Sequence, residues 1–439
     1  LVSTDLRPEE LVEFLETHGI TRFFLVHEPE SDRVVASHEA LGPLADLVSE
    51  DRRDYLGHEG CFFQLSRRHR TLQGAFVHRT NRGQAAGGVR YWSYATVEEY
   101  LRDGLRLAKG MTRKNALAGL WWGGGKGVMA HNPSVDKRDP EVRASLYREY
   151  GELMSSLRGC YVTAEDVGTN VTDMANVFAA TRFTTCIPPE LGGSGNPSVP
   201  TARGVICGME AALEFLEAGG LEGKTVAVQG MGNVGGPLIA MLFEKGAARV
   251  VACDIDPELV EKVRSEHAGR DFEAHAVELG DTSILEAECD VLSPCATGAV
   301  LRPATVPRIR ARVVCGAANN QLEDGDRDDR LLAEAGVTYV PDFLTNRMGI
   351  VHCANEQYGY VNEDPWIERH LGGDWEFSIR RMTLAVLEEA RKAGEPTARV
   401  ATRMADRLSL ENHPLTGHRG RRIIASLVED RWHEDERTR

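Results

Sequence analysis

One short segment constrains the fold more than any other. Lys224-Thr225-Val226-Ala227-Val228-Gln229 is an apolar, β-branched run that passes straight into Gly230-Met231-Gly232-Asn233-Val234-Gly235, and a helical pattern opens at once behind it. Strand, glycine turn and helix in that order form a βα unit of a parallel sheet. Gly230 suits the tight turn, Gly232 lets the backbone approach a pyrophosphate, and Gly235 allows close packing of helix on strand. The free N–H groups around Asn233 and Val234 then face the phosphates. Asp254 ends the next strand, 19 residues past Gly235. A carboxylate there accepts hydrogen bonds from an adenosine ribose and repels a 2′-phosphate, so the expected cofactor is NAD rather than NADP.

Alternation continues on both sides of this unit. Helical patterns cover 202–218, 234–245 and 257–266, and strand-like runs cover 249–254, 291–293, 313–315 and 338–340. A chain of 439 residues exceeds one ordinary core, and the breaker-rich Gly192-Gly193-Ser194-Gly195-Asn196-Pro197 is the expected connection between two domains. Before it, helices are expected at Pro8–His18, Val97–Lys109 and Val142–Leu157, with strands at 22–26, 33–36 and 73–77. The stretch from about 42 to 70 reads as charged and irregular, with Asp51-Arg52-Arg53-Asp54 and Arg67-Arg68-His69-Arg70 as solvated surface. Two amphipathic helices are expected after Trp375.

Charge and cysteine usage narrow the partners. With 51 Lys+Arg against 66 Asp+Glu the net charge is −15, contrary to the basic face that a nucleic-acid binder needs. No apolar run approaches bilayer length, and Asp5, Glu9, Glu10, Glu13 and Glu16 oppose a signal peptide. Nine cysteines without a CxxC pair read as reduced thiols of a cytoplasmic protein, with no metal site.

Two further segments could carry chemistry. Lys126 lies in Trp121-Trp122-Gly123-Gly124-Gly125-Lys126-Gly127, twelve residues after Lys114. Walker A fails, because Leu120 stands where its first glycine belongs and Gly127 follows the lysine. Either Lys126 is a surface lysine beside a flexible loop, or it is desolvated between two tryptophans and bare backbone and serves as a general base. Thr163-Ala164-Glu165-Asp166-Val167-Gly168-Thr169 is the second cluster; Asp166 or Thr169 could equally cap a helix.

Taken in order, Gly87-Gly88-Val89-Arg90, the two lysines, Thr163–Thr169, the glycine turn, Cys315-Gly316-Ala317-Ala318-Asn319-Asn320-Gln321 and Pro341-Asp342-Phe343 resemble the glutamate/leucine/phenylalanine/valine dehydrogenase family, most closely its leucine dehydrogenase branch. The resemblance spans roughly residues 75 to 360. It implies an α/β fold of two domains around a cleft. A substrate and oligomerisation domain (1–190, completed by helices returning at about 385–439) would face a Rossmann domain (191–384). It also implies reversible oxidative deamination of an L-amino acid to its 2-oxo acid and ammonia, by a homo-oligomer. Lys114 would bind the substrate carboxylate beside Gly87 and Gly88, Lys126 would be the base, Asp166 would shuttle protons and Asn319 would orient substrate and cofactor. Arg90, Thr201, Ala296, Thr297 and Ala317 would line the cofactor site, and Ile350 and Cys353 the side-chain pocket.

The chain departs from this pattern in three places. Some three dozen extra residues around Asp46–Arg82 read as a surface insertion or an altered subunit contact. Asn346-Arg347-Met348-Gly349-Ile350 stands where the family has Asn-Ala-Gly-Gly-Val, and Arg347 is expected to face outward or be structural. Ala86 and Cys353 occupy positions where a glutamate-specific member would carry Lys and Ser. An apolar, leucine-like substrate is therefore expected first, with an aromatic or acidic amino acid as the alternative. A non-catalytic NAD-binding homologue is the rival class, opposed by the presence of Lys114, Lys126, Asp166 and Asn319. A hydroxy-acid dehydrogenase lacks an arguable His/Arg arrangement. Zinc hydrolysis fails because no His-Glu pair has a second His at the required spacing, and no GxSxG elbow occurs.

Overall fold

Continuous apolar runs and glycine-rich runs both become strands when neighbours bury them on two sides, and the first half of the chain uses both kinds. The computed structural model describes residues 1–359, 361 and 363–434. It divides into two units, Leu1–Gly195 with Cys353–Tyr360 and Asp406–Arg439, and Asn196–His352 with Val361–Ala405.

The first unit is built on a seven-stranded sheet of order β2-β1-β3-β4-β6-β5-β7. Its strands are β1 (Arg22–Glu28), β2 (Arg33–Ala36), β3 (Gly60–Leu65), β4 (Leu72–Arg79), β5 (Ala85–Trp92), β6 (Gly123–Ala130) and β7 (Tyr161–Glu165). Pairs from β2 to β6 are antiparallel, whereas β5 runs parallel to both β6 and β7. The segment expected as a surface insertion is the middle of this sheet. All six residues of β3 are buried, Phe63 stacks on Phe23 with ring centroids 4.5 Å apart, and it meets Phe76 of β4 edge-on at 5.4 Å. Without β3 and β4, β1 and β2 would have no connection to β6. The charged run before β3 is not wholly solvated either. Asp51 and Asp54 are buried, and an Asp51 oxygen accepts the N–H groups of Arg53 and Asp54 at 2.7 and 2.6 Å.

The second unit holds a six-stranded, all-parallel sheet of order β10-β9-β8-β11-β12-β13. Its strands are β8 (Thr225–Gln229), β9 (Arg249–Asp254), β10 (Phe272–Ala276), β11 (Val291–Pro294), β12 (Val313–Val314) and β13 (Thr338–Tyr339). In chain order this is 3-2-1-4-5-6, the doubly wound Rossmann arrangement. The expected domain boundary at about 385 needs correction, because residues 385–405 group with the second unit. The helix Ile379–Ala393 packs on the helix Ser198–Phe215, Arg380 pairs with Glu214 at 2.6 Å, and the Arg391 guanidinium lies 4.6 Å from the Phe215 ring centroid. Among the described residues, no helix is long and apolar enough to cross a membrane.

Candidate active site

Lys126 does not sit in a flexible loop. The Gly123-Gly124-Gly125-Lys126-Gly127 run is the first part of β6, hydrogen-bonded to β4 on one side and β5 on the other, and all eight residues of the strand are buried. Glycine is required there because the helix Val97–Leu117 lies directly on the strand; a Cβ at Gly124 would fall 2.0 Å from Thr112 Oγ1. The expected tryptophan sandwich is not formed, since Trp121 is partly exposed beneath the Arg82 guanidinium, 4.2 Å away. Burial of Lys126, which is only 3% exposed, comes from its place inside the sheet.

Its Nζ lies 2.9 Å from Asp166 Oδ1. Asp166 begins the turn after β7, and the helix-capping alternative is settled against it: the cap of the helix Val171–Phe178 is Asn170, whose side chain accepts the Asp173 N–H. Thr169 Oγ1 instead accepts the Asp166 N–H at 2.8 Å, which closes the turn and leaves the carboxylate to the lysine. Gly88 makes this approach possible, because a Cβ there would lie 2.4 Å from the Glu165 carbonyl oxygen and 2.8 Å from Asp166 Cβ.

Burial disfavours both charges, but the two groups respond differently. Desolvation pulls the Lys126 ammonium below the ordinary lysine value, Asp166 opposes that shift, and the nearby Arg90 charge adds to it. Burial pushes the Asp166 carboxyl up, but Lys126 and Arg90 together outweigh it and hold it below the ordinary aspartate value.

Arg90, expected to line the cofactor site, is committed within the first unit. Its Nε meets Asp166 Oδ2 at 3.2 Å and its Nη1 meets Asp103 Oδ2 at 3.0 Å. Asp103 also accepts from the Tyr94 hydroxyl at 2.7 Å and from Arg106 Nη2 at 2.6 Å. The sequence reading missed Asp103 and Tyr94. The available signal was a carboxylate three residues after Tyr100, on the apolar face of a helix. Lys114 lies half-buried in the last turn of that helix, three residues after Met111, whose side chain faces Gly87. Positions three apart share a helix face, so Lys114 is directed to the same side.

Ile350 and Cys353 are both buried on the helix Met348–Glu356. Cys353 Sγ lies 3.2 Å from Cys186 Sγ, and Ala86 is buried in β5. Arg347 is not outward-facing. It is fully buried in the second unit and donates to the Phe377 carbonyl, which makes it structural.

In the second unit the glycine turn has the geometry a pyrophosphate needs. Gly230 has φ +92°, and a Cβ at Gly235 would fall 1.9 Å from the Gly230 carbonyl oxygen. Over Gly232 nothing among the described residues lies within 4 Å of a Cβ position, and Asn233 is exposed beside it. Asp254 Oδ2 accepts the Met231 N–H at 2.7 Å, which fixes the carboxylate at the turn. The turn after β11 brings Ala296 against Gly230, and Gly298, next to Thr297, against the Asn319 carbonyl oxygen. Asn346 Nδ2 donates to Asn319 Oδ1 at 2.8 Å and to the Ala317 carbonyl at 3.1 Å. The Thr201 hydroxyl donates to the Pro197 carbonyl at 2.9 Å. Most of these residues cluster at the carboxyl ends of β8, β11 and β12, where doubly wound sheets bind dinucleotides.

A Rossmann unit with this turn, joined to a unit holding a buried lysine–aspartate pair, is the make-up of a nicotinamide-dependent oxidoreductase of the amino acid dehydrogenase class. Residues 192–412 match the glutamate/leucine/phenylalanine/valine dehydrogenase family and residues 66–183 match the Glu/Leu/Phe/Val dehydrogenase dimerisation domain. The chain is 44% identical over 288 residues to leucine dehydrogenase from Geobacillus stearothermophilus, covering 65% of this chain and 75% of that one. It is 38% identical over 340 residues to valine dehydrogenase from Streptomyces coelicolor, with coverage of 77% and 88%. The crystal structure of L-tryptophan dehydrogenase from Nostoc punctiforme superposes with a TM-score of 0.67 at 32% identity, over 80% of this chain and 96% of that one. The chain belongs to the glutamate/leucine/phenylalanine/valine dehydrogenase family.

Proposed function

We propose that the protein is an NAD-dependent dehydrogenase of an apolar, leucine-like L-amino acid, interconverting it with the 2-oxo acid and ammonia. The observation that carries the reading is the 2.9 Å contact between a fully enclosed lysine and Asp166. A lysine with lowered proton affinity, next to a carboxylate that can take up or return a proton, is suited to general base catalysis at a carbon bearing nitrogen. Lys114 holds the substrate carboxylate by a charge-assisted hydrogen bond. A bound nicotinamide would supply the two-electron acceptor for the hydride leaving the substrate Cα. Lys126 removes a proton from the water that attacks the iminium carbon, and protons passed through Asp166 go to the nitrogen of the resulting carbinolamine. Its C–N bond then breaks to release ammonia and leave the 2-oxo acid, while Asn319 orients the reacting groups. Gly230, Gly232, Asn233, Val234 and Gly235 would hold the pyrophosphate of a bound dinucleotide, and Ala296, Thr297, Ala317 and Thr201 would line its nicotinamide half. Asp254 favours NAD over NADP.

Substrate preference follows from what the pocket positions lack. A second carboxylate requires a cation and donors, because an unpaired buried charge costs several kcal/mol. Ala86 and Cys353 supply neither, and Arg347 is engaged with Phe377. The leucine and valine dehydrogenases among the relatives support the same choice. The first unit serves substrate binding and assembly, the second binds the dinucleotide, and the protein works as a cytoplasmic homo-oligomer. The test is reductive amination by the purified protein, with NADH or NADPH, ammonia and a panel of 2-oxo acids. Branched aliphatic 2-oxo acids with NADH should give the highest kcat/KM. A preference for 2-oxoglutarate would overturn the apolar assignment, and no turnover of any 2-oxo acid would overturn the reading itself.

A further inference from the structure

We propose that Asp103 is a positioning residue for the Lys126–Asp166 pair: by anchoring Arg90 it keeps one oxygen of Asp166 free for the lysine and balances the charge around both. The proposal rests on Lys126 acting as the base. Four elements meet at this point. Lys126 comes from β6, Arg90 from β5, and Asp166 from the turn behind β7; Asp103 and Arg106 come from the helix Val97–Leu117. Tyr94, between β5 and that helix, completes the set.

Both Asp103 oxygens are occupied. Oδ1 accepts from Arg106 Nη2 at 2.6 Å and from Arg90 Nη1 at 3.3 Å; Oδ2 accepts from Arg90 Nη1 at 3.0 Å and from the Tyr94 hydroxyl at 2.7 Å. Arg90 meets Asp166 through Nε at 3.2 Å from Oδ2, while Asp103 holds Nη1, away from the Nε–Nη2 edge, and so fixes the plane of the guanidinium. A guanidinium released from Asp103 is free to turn its Nε–Nη2 edge squarely onto a carboxylate and form the two-pronged pair its planar fork prefers, as Arg113 does with Asp406. Such a pair on Asp166 would take Oδ1, the atom that faces Lys126. By holding Nη1, Asp103 keeps the guanidinium from making that turn.

The charges around the lysine also have signs that can be read. Asp166 and Asp103 strengthen its hold on a proton and Arg90 weakens it. Glu165, next to Asp166, has its own carboxyl pushed up by burial, and Tyr161 of β7 is a neutral neighbour whose hydroxyl donates to the Gly87 carbonyl. Removing the Asp103 charge should therefore ease deprotonation of Lys126, and removing the Arg90 charge should hinder it.

The experiment compares wild type, Asp103→Asn, Arg90→Gln and Tyr94→Phe as full-length protein. One readout is the pH profile of kcat. The other is competitive acylation of Lys126 with acetic anhydride across pH, followed by peptide mass spectrometry, which needs no turnover. Asp103→Asn should lower kcat by about tenfold or more with KM for the amino acid within about twofold, and should move the acid limb and the Lys126 acylation midpoint to lower pH. Arg90→Gln should move both to higher pH. Tyr94→Phe, which changes no charge, should leave both in place. Unmoved midpoints in Asp103→Asn, or shifts of the same sign in Asp103→Asn and Arg90→Gln, would overturn the proposal. If Asp103→Asn fails to fold, Arg90→Gln decides: an unmoved or lowered acylation midpoint overturns it. Absence of turnover in wild type would instead strike the functional reading, and acylation would still report on the pair.

Discussion

Lys126 and Asp166 touch across a strand that belongs to neither of them. β5 lies between β6 and β7, and the register sets Gly124 beside Ala86 and Gly127 beside Val89, so the lysine stem crosses β5 at Gly87-Gly88. Any side chain at Gly88 would collide with the Glu165 carbonyl oxygen and with Asp166 Cβ. The glycine pair is therefore a gap in the sheet surface through which a cation of one strand reaches an anion of another.

If that contact carries the chemistry, Lys126→Ala should lower turnover by about 10²–10⁴-fold. NADH affinity, measured by calorimetry, should stay within about twofold, because the glycine turn belongs to the second unit. A loss of activity smaller than tenfold would remove Lys126 from the role of base.

Asp166 also predicts a pH dependence of stability. Its folded carboxyl is held below the ordinary aspartate value. Its contribution is then complete above that ordinary value and is lost as the pH falls through the lowered folded value. Asp166→Asn should be less stable than wild type at neutral pH, and the gap should narrow toward about pH 3. Urea unfolding at the two pH values measures the gap; a constant difference would contradict the sign.

Asp254 should set cofactor choice. Asp254→Ser removes the charge that repels a 2′-phosphate and should narrow the preference of kcat/KM for NAD over NADP by roughly tenfold or more. Because Asp254 Oδ2 also accepts the Met231 N–H, some loss of NAD affinity should accompany the change. Equal use of both cofactors by the unmodified protein would refute the assignment.

The segment carrying β3 and β4 should behave as core. Phe63→Ala should cost about 3–5 kcal/mol, since the ring is fully buried against Phe23 and Phe76. A surface insertion would tolerate the change within about 0.5 kcal/mol. Chemical denaturation distinguishes the two.

Arg347 should matter for folding and not for substrate choice. Arg347→Ala removes the donor to the Phe377 carbonyl and leaves a void, so the Tm should fall by several degrees. The ranking of leucine, valine, phenylalanine and glutamate as substrates should stay the same. A preference for an acidic substrate that disappears in the variant would place the guanidinium at the substrate instead.

The Rossmann unit was largely legible because its signals are local. β8, its glycine turn and Asp254 can be read from thirty consecutive residues. β10 escaped because it is an edge strand with only Ala274 buried, so the polar residues of Phe272–Ala276 gave no apolar run. The first unit was harder, since its strands are set by distant neighbours. Gly123–Gly127 has no intrinsic preference for extended structure and becomes a strand only between β4 and β5. β3 was hidden between charged flanks, one of which, at Asp51 and Asp54, is buried. Lys114, Lys126 and Asp166 were singled out by residue type and family order, and the structure brings Lys126 and Asp166 together. Asp103 was not, because a carboxylate on an apolar helix face is informative only once its partners are known. The fate of Arg347 likewise depended on Phe377, thirty residues away.

Neither unit is a single stretch of the gene. The seven strands of the first are complete by Glu165, yet Arg79, Arg82 and Arg113 are held by Ser409, Glu411 and Asp406. During synthesis that sheet must wait, with part of its surface uncovered, until the whole second unit has left the ribosome. No single cut between residues 195 and 406 can yield two self-sufficient halves, so a split or truncated version would need its last three dozen residues supplied in trans.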